Sequence, residues 1–285
     1  MRTFAGPLLH QETRVRVADH WRWLWLQICL IAILFLAAPA CTSEKSLAGR
    51  FLVLESDNRI LYEHGAEAYA RELLPFLPAA ISKVEAAQYL PFYKPVKVYV
   101  CASAETCHKL TGSRAPAVTT DNVFLSPVLF QEKRPLDRYL THELAHLHIE
   151  QRLGLMKFRL LPAWFKEGLA EYVAGGATGA RVTDEETYDA IRKGRTFVPD
   201  DGRNVVSALL FPRYGSHWGI SEALFYRQSM LFIAFLRNTD EGSFRKLLLA
   251  IQQGQSFRTA LAEAYHQPLS ALWEEFVAEI SGKGK

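Results

Sequence analysis

The chain has 285 residues, of which 49% are hydrophobic and 22% are charged, a composition that excludes a disordered chain. Lys and Arg number 33 against 30 acidic residues, and the two classes nearly balance once the first forty residues are set aside. The body lacks a basic stripe that could neutralise phosphates, so we expect no nucleic-acid partner.

The N-terminus has the order of residues that is typical of an export signal. Arg14, Arg16 and Arg22 precede an almost wholly apolar stretch from Leu24 to Ala40. As a helix this stretch would reach roughly 25 Å, slightly short of the hydrocarbon core of a bilayer. We therefore expect residues 1–41 to be a signal segment that directs the body to the bacterial cell envelope, in the periplasm.

Cys41 directly follows the apolar stretch, where bacterial lipoproteins carry a lipidated cysteine, and the stretch resembles a lipobox. Ala40 suits this site, whereas Ala38 and Pro39 depart from the usual pattern and also fit ordinary small-residue cleavage. We expect lipidation of Cys41, with simple secretion or a retained helix as alternatives. All three place the body outside the cytoplasm, and the lipid or the helix would anchor it to the membrane.

The first part of the body mixes strand and helix patterns, after a polar linker at residues 42–49. A helical stretch at residues 66–88 contains Pro75 and Pro78, which predict a break. Strands are predicted at residues 51–55, 96–100 and 118–125, the last of them bent near Asp121-Asn122.

Cys101 and Cys107 are the cysteines of the predicted body, six positions apart. In an oxidising compartment such a pair can close a small loop, so we expect a disulfide. The alternative is a nucleophilic cysteine beside His108, but no surrounding motif supports it.

From Pro135 onward the sequence pattern becomes helical. The segment from Gly194 to Ile220 has no strong period and is predicted to be a loop over the site. Helices are predicted near residues 135–153, 162–174, 183–194, 221–237, 241–253 and 268–280. We expect an α+β domain at residues 50–285, with a small sheet-bearing lobe at 50–132 and a mainly helical lobe at 133–285.

One helical turn of the 135–153 segment carries the pattern His-Glu-x-x-His. His142 and His146 are four positions apart, so both imidazoles lie on one helix face and can bind one metal ion. Glu143 is adjacent and can take a proton from water on that metal. Two surface histidines on a helix would be the alternative interpretation.

The next predicted helix supplies a candidate third ligand. Glu167 follows His146 by twenty-one positions, which is enough for the first helix to end and a second to pack against it. A catalytic zinc site needs three protein ligands and one open position. Glu171 lies one turn beyond Glu167, and we expect it to support the ring of His142 rather than to bind metal.

The motif His142-Glu143-x-x-His146 together with Trp164-x-x-Glu167-Gly168-x-Ala170-Glu171-Tyr172 resembles the gluzincin metallopeptidases, which include thermolysin-like enzymes. The resemblance covers about residues 96–236. It implies a zincin-like fold, one Zn²⁺ per chain held by His142, His146 and Glu167, and Glu143 as general base. It also implies that the strand near Asn122–Ser126 pairs with an extended substrate.

Two departures narrow this resemblance, which extends to the zinc aminopeptidases of the same group. It lacks the Gly-x-Met-x-Asn segment with which zinc aminopeptidases hold a substrate N-terminus, so the resemblance favours an endopeptidase. The metzincin pattern is excluded, because its Gly and third His would fall at Ile149 and Arg152.

Tyr226 resembles the tyrosine on a later helix that stabilises the oxyanion in relatives. His217 and Arg227 are alternatives for that role, and a buried tyrosine that anchors helix packing is another interpretation. His148 points away from the predicted metal face and is expected to be structural.

We therefore expect a zinc-dependent peptidase of the cell envelope that acts on peptides or proteins through a metal-bound water. The alternatives are a noncatalytic envelope lipoprotein that keeps a metallopeptidase scaffold for binding or assembly, and hydrolysis of another amide, such as one in cell-wall material.

Overall fold

A mixed five-stranded sheet forms in the N-terminal half of the residues that this computed structural model describes, namely Leu47, 49–202 and 213–282. The strands are β1 (Phe51–Val53), β2 (Ile60–Glu63), β3 (Val98–Val100), β4 (Ala117–Thr119) and β5 (Val123–Leu125). They lie in the order β1-β2-β3-β5-β4, with the three central strands parallel and each outer strand antiparallel to its neighbour. β4 is therefore an edge of the sheet.

Helices make up most of the remainder. They are α1 (Glu67–Glu72), α2 (Leu77–Gln88), α3 (Ala104–Thr111), α4 (Pro127–Gln131), α5 (Leu136–Leu153), α6 (Leu155–Leu160), α7 (Ala163–Ala174), α8 (Asp184–Arg192), α9 (Glu222–Thr239), α10 (Glu241–Gln252), α11 (Phe257–Tyr265) and α12 (Leu269–Gly282). Single 3₁₀ turns lie at Gly179–Arg181 and Gly215–Trp218. The fold class is α+β, as predicted.

The two faces of the sheet are buried by different elements. Successive strand residues point to opposite faces. Val98 and Val123 therefore enter the main core, whereas Tyr99 and Phe124 stack on each other on the other face, with ring centroids 5.0 Å apart. A smaller cluster beneath α3 covers that second face.

Cys101 and Cys107 form a disulfide within this smaller cluster, as predicted. Both cysteines are buried, and the bond ties the end of β3 to α3. Since their sulfurs are bonded to each other, the nucleophile alternative beside His108 is wrong.

Helix α5 is the central element of the helical part. It packs against α2, α7 and the edge strand β4. Leu140, Leu144 and Leu147 are fully buried on one side, and the His-Glu-x-x-His turn lies on another. Gly154, at a φ of 73°, ends the helix and lets the chain turn back toward α7.

Helices α7 and α9 approach each other closely at Gly168. A Cβ added to Gly168 would lie 2.6 Å from the backbone carbonyl oxygen of Ser229 and 3.0 Å from Cγ1 of Ile233. A hydrogen side chain at this position thus sets the distance between the helix that carries Glu167 and the helix that carries Tyr226.

Replacing Gly168 by Ala is expected to lower the free energy of unfolding by about 1–3 kcal/mol, because the methyl group would push against backbone that cannot move aside locally. Urea unfolding followed by circular dichroism measures this change. Gly282→Ala is the matched control, since within the described residues no atom outside the adjoining backbone lies within 4 Å of a Cβ built there. Equal stability of the two variants would contradict the close packing of α7 against α9.

Most of the predicted elements are confirmed, but one strand prediction is wrong. The segment 118–125 is a hairpin of β4 and β5 rather than one bent strand, because the chain reverses at Asp121 and Asn122. The predicted break is present between α1 and α2, where Pro75 lies, and Pro78 is in the first turn of α2. The pattern did not predict β2, α3, α4, α6 or α11.

Several predictions fall on residues outside those described: the signal segment at residues 1–41 with Cys41, nearly all of the linker at 42–49, and residues 203–212 of the predicted loop. The described part of that loop contains the 3₁₀ turn Gly215–Trp218. Among the described residues, every helix is too short or too polar to cross a membrane.

Candidate metal centre

Three side chains predicted to bind metal converge between α5 and α7. Nε2 of His142 lies 3.1 Å from Nε2 of His146. Oε2 of Glu167 lies 3.5 Å from the first of these nitrogens and 3.3 Å from the second. The three atoms thus form a nearly equilateral triangle, and among the described residues this is the cluster of His, Cys, Asp and Glu that could hold a metal ion.

The size of this triangle fits a tetrahedral zinc site. With metal–ligand distances of about 2.0–2.1 Å, two ligands of a tetrahedral ion are about 3.3 Å apart. Each of the three observed separations is close to that value. A zinc ion at the centre would have His142, His146 and Glu167 as ligands and keep one further position open.

The charges around the triangle favour a cation. Burial lowers the pKa of His142, but the nearby carboxylates of Glu167, Glu171 and Glu143 outweigh this effect and raise it well above its ordinary value. Burial also raises the pKa of Glu167, but the two histidines reverse the shift and hold that carboxyl far below its usual range. Positive charge, carried by a proton or by a metal ion, is therefore stabilised here.

Glu171 is fully buried and holds two parts of the site together. Its carboxylate accepts hydrogen bonds from the backbone N–H groups of Ala177, Thr178 and Gly179, at 2.8–3.0 Å. Its Oε1 lies 3.2 Å from Nδ1 of His142, although the contact is not aligned as a good hydrogen bond. Glu171 thus contacts the ring nitrogen of His142 that faces away from the triangle, as the sequence predicted.

Glu143 faces the same cleft and is held by a threonine that the sequence did not single out. Thr119 lies at the end of β4. Its Oγ1 is 2.7 Å from Oε2 of Glu143 and 2.8 Å from the backbone carbonyl oxygen of Glu143. The single hydroxyl hydrogen can be donated to one of these oxygens at a time. When Oε2 is the acceptor, Thr119 holds the Glu143 carboxylate from the strand side.

The three candidate metal ligands and Glu143 line a cleft of about 610 Å³. Its lining includes β4 with residues just before it, and also Tyr214 and Tyr226. Phe158 and Lys166 lie in the cleft as well. The site is therefore a cleft that is lined by both an outer strand of the sheet and two tyrosines.

Of the three residues considered as oxyanion donors, one lines the cleft and two do not. Tyr226 lines the cleft, with its ring centroid 6.4 Å from that of His142. The charge of Glu167, together with burial, strongly raises the pKa of Tyr226, so its hydroxyl keeps its hydrogen. Arg227 is instead paired with Asp184 at 2.7 Å, and His217 is exposed and does not line the cleft.

Tyr214 is a second cleft tyrosine that the sequence analysis missed. Burial and the charge of Glu167 raise its pKa, so it too is a neutral hydroxyl donor. It precedes a 3₁₀ turn in a segment with no strong period, and no sequence signal marked it. Thr119 and Lys166 were missed for a similar reason, because β4 pairing and the crossing of α5 and α7 bring them to the site.

The strand that was expected to pair with a substrate is not the one that borders the cleft. The segment Asn122–Ser126 contains β5, which lies between β3 and β4 and so has both edges occupied. The free edge beside the cleft belongs to β4. Any extended chain that adds to the sheet here must therefore pair with Ala117–Thr119.

His148 has a structural position, as predicted. It is fully buried, and its Nε2 lies 2.7 Å from the carbonyl oxygen of Leu90. Burial lowers the pKa of His148 to about 4, so the ring is neutral near pH 7. The residue packs edge-on against Phe92 and joins α5 to the segment after α2.

Glu150 is a buried carboxyl one turn beyond His146. It is 5% exposed, and one of its carboxyl oxygens has no hydrogen-bond partner among the described residues. Burial, with the charge of Asp121, raises the pKa of Glu150 to about 7. The folded protein binds this proton more tightly than the unfolded chain does, so stability falls as pH rises from about 4.5 to about 7.

The variant Glu150→Gln is expected to remove this loss, since the amide carries no charge at any of these pH values. Its melting temperature should exceed that of the wild type by on the order of 2–4 °C above pH 7, and the difference should shrink toward pH 4.5. Thermal unfolding at a series of pH values measures it. Glu274→Gln, on an exposed helix face, is the control, and a pH-independent difference for Glu150→Gln would contradict the assignment.

Comparisons with known proteins leave the function to be argued from the site. The chain matches no protein-family model and no curated protein at a significant level.

Proposed function

We propose that this protein is a zinc-dependent metallopeptidase of the gluzincin type, with a zincin-like fold. The observation that carries the proposal is the convergence of His142, His146 and Glu167 at the separations of a tetrahedral zinc site, with Glu143 in the same cleft. A helix surface with two unrelated histidines would not bring a carboxylate from a second helix to both rings.

The ion would be held by three ligands, one of which is supported by a further carboxylate. His142, His146 and Glu167 would bind it, and Glu171 would fix the ring of His142 while it anchors the loop at Ala177. A bound zinc ion supplies Lewis acidity, which makes a water nucleophilic near pH 7 and polarises a carbonyl oxygen.

Glu143 would act as the general base and then as the general acid. Its carboxylate lines the cleft without belonging to the ligand triangle, so it is free to accept a proton from water and to pass it to the leaving amine. Thr119 would keep one carboxylate oxygen oriented during both transfers.

Tyr226 would donate a hydrogen bond to the oxyanion that forms on the scissile carbonyl. The variant Tyr226→Phe is expected to lower kcat by about 10²-fold and to leave zinc affinity nearly unchanged, because it removes one donor and no ligand. Steady-state kinetics and zinc titration of the same preparation measure both. A kcat equal to that of the wild type would assign the role elsewhere, with Tyr214 the next candidate.

The edge strand β4 would bind the backbone of an extended substrate. Its outward N–H and C=O groups lie beside the cleft, and an added strand satisfies them through main-chain hydrogen bonds. A groove open along a strand suits cleavage within a chain, and the sequence lacks the aminopeptidase segment, so we propose an endopeptidase.

The sequence of the N-terminus supports an enzyme exported to the cell envelope and anchored through a lipid on Cys41. The mass of the mature N-terminal peptide tests this. A diacylglyceryl-modified Cys41 is the expected result, and a free N-terminus at residue 41 or beyond would leave secretion without a lipid.

The proposal is tested by incubating the purified, zinc-loaded protein with a peptide library and identifying the products by mass spectrometry. Cleavage that is lost on chelation, returns with zinc and is absent in Glu143→Gln is the expected result. Zinc bound at one ion per chain with no cleavage by either protein would favour the noncatalytic scaffold. Release from cell-wall material without peptide cleavage would favour a different amide substrate.

A further inference from the structure

Lys166 places a cation inside the cleft at the end nearest His146. It lies on α7, directly before Glu167 in sequence, and its Nζ sits 5.0 Å from the centroid of the Phe158 ring. That ring in turn lies 5.9 Å from the ring of His146, edge to face. The ammonium group is therefore held beside the metal centre by an aromatic wall.

Within the described residues, Lys166 forms no ion pair. No carboxylate oxygen of these residues lies within 4.0 Å of its Nζ. Other cleft cations differ. Arg134 is paired with Glu132 at 2.6 Å and donates a hydrogen bond to Tyr139, while Arg181 is exposed to solvent. Lys166 is only partly exposed, so water screens its charge less than that of Arg181.

The charged groups that act on Lys166 are two carboxylates and one further cation. Burial and Arg159 act against the charged form of Lys166, whereas the carboxylates of Glu167 and Glu150 favour it. Under the proposed function, Glu167 directs its charge at the metal ion. Among the groups that act on Lys166, Glu150 then remains as the one carboxylate, so the region around Lys166 can accept a further negative charge.

We infer that Lys166 and Phe158 form a substrate subsite that binds a carboxylate next to the cleaved bond. This inference deepens the proposed function and rests on it. The carboxylate would pair with the ammonium, while the carbon atoms next to it would pack on the Phe158 ring. The same chemistry is offered by an Asp or Glu side chain and by the C-terminus of a peptide.

Binding to the zinc-loaded Glu143→Gln protein tests the subsite without turnover. Three peptides of one sequence are titrated by calorimetry: one with Glu at the positions flanking the scissile bond, one with Gln at those positions, and one with Gln that ends in a free carboxylate instead of an amide. We expect the Glu peptide, or the peptide with the free C-terminus, to bind at least about tenfold more tightly than the neutral peptide. Which of the two is favoured identifies the source of the carboxylate.

The preference should depend on Lys166. In the Glu143→Gln background, Lys166→Met is expected to reduce the affinity ratio to near one, and Lys166→Glu to invert it. Lys193→Met is the matched control, because Lys193 pairs with Asp189 on the surface of α8 and does not line the cleft. The inference would be overturned if the affinity ratio were the same in Glu143→Gln and in its Lys166 variants. It would also be overturned if the three peptides bound with equal affinity, or if none of them bound measurably.

The two proposals can fail separately. If the wild type cleaves no peptide but the Lys166-dependent ratio is found, the peptidase proposal falls, and Lys166 marks a carboxylate-binding site without a role in cleavage. If the wild type cleaves peptides, and both Lys166 variants cleave the charged and the neutral peptide in the same ratio as the wild type does, the peptidase proposal stands and the subsite falls.

Discussion

Replacing Glu143 by Gln is expected to lower kcat for peptide cleavage by about 10²–10⁴-fold, the range that a general acid–base residue contributes. Gln has nearly the same shape and can keep a contact with Thr119, but it cannot accept a proton from water. Because Glu143 lies outside the ligand triangle, zinc affinity should change little. Steady-state kinetics on a cleaved peptide, with metal content measured in parallel, separates the two effects.

The control for this substitution is Glu222→Gln, which also removes a carboxylate that lines the cleft. It carries no assigned role in proton transfer, so its effect on kcat should be much smaller. Two results would contradict the role of Glu143: a loss of kcat that zinc depletion fully explains, or a similar loss in both variants.

Replacing His146 by Ala is expected to weaken zinc binding by more than about 10²-fold. Loss of a group that merely supports a ligand weakens metal binding by about 10–100-fold, and His146 supplies one corner of the triangle itself. Activity should fall with occupancy and recover only partly at high zinc concentration. Competition with a chromophoric chelator measures the affinity directly.

Glu171→Gln is the graded comparison for this prediction. It keeps a side chain of the same size near Nδ1 of His142 but removes the charge, so a loss within the 10–100-fold range is expected. If His146→Ala and Glu171→Gln weakened zinc binding equally, or if His146→Ala left it unchanged, the assignment of the ligands would be wrong.

The sequence predicted those parts of the site that depend on local geometry. Residues four apart on a helix share a face whatever the rest of the chain does, so His142 and His146 could be paired from spacing alone. Glu167 needed one further step, a helix hairpin of a length that the intervening residues allow. Gly154 ends α5 and Pro162 precedes α7, and the connection between them contains the short helix α6.

The missed parts depend on contacts between distant segments. Thr119 meets Glu143 only because β4 folds back on β5, and the short run from Val118 to Leu125 has the alternation of a single strand as readily as that of a hairpin. Tyr214 reaches the cleft from an irregular segment. The periodicity of the hydrophobic residues does not predict either placement.

One missed helix did carry a signal. Helix α3 begins after Ser103, whose side chain accepts a hydrogen bond from the N–H of Thr106, and ends at Gly112 with a φ of 73°. A capping serine and a terminal glycine are the usual boundaries of a helix, but the eight residues between them include only two that are buried. The weak apolar pattern hid the helix.

The most direct test of the metal centre is a crystal structure of the zinc-loaded protein with data collected on both sides of the zinc absorption edge. An anomalous peak within about 2.0–2.2 Å of Nε2 of His142, Nε2 of His146 and Oε2 of Glu167 is the predicted result. A peak elsewhere, or a fully loaded protein with no density at that point, would contradict the account.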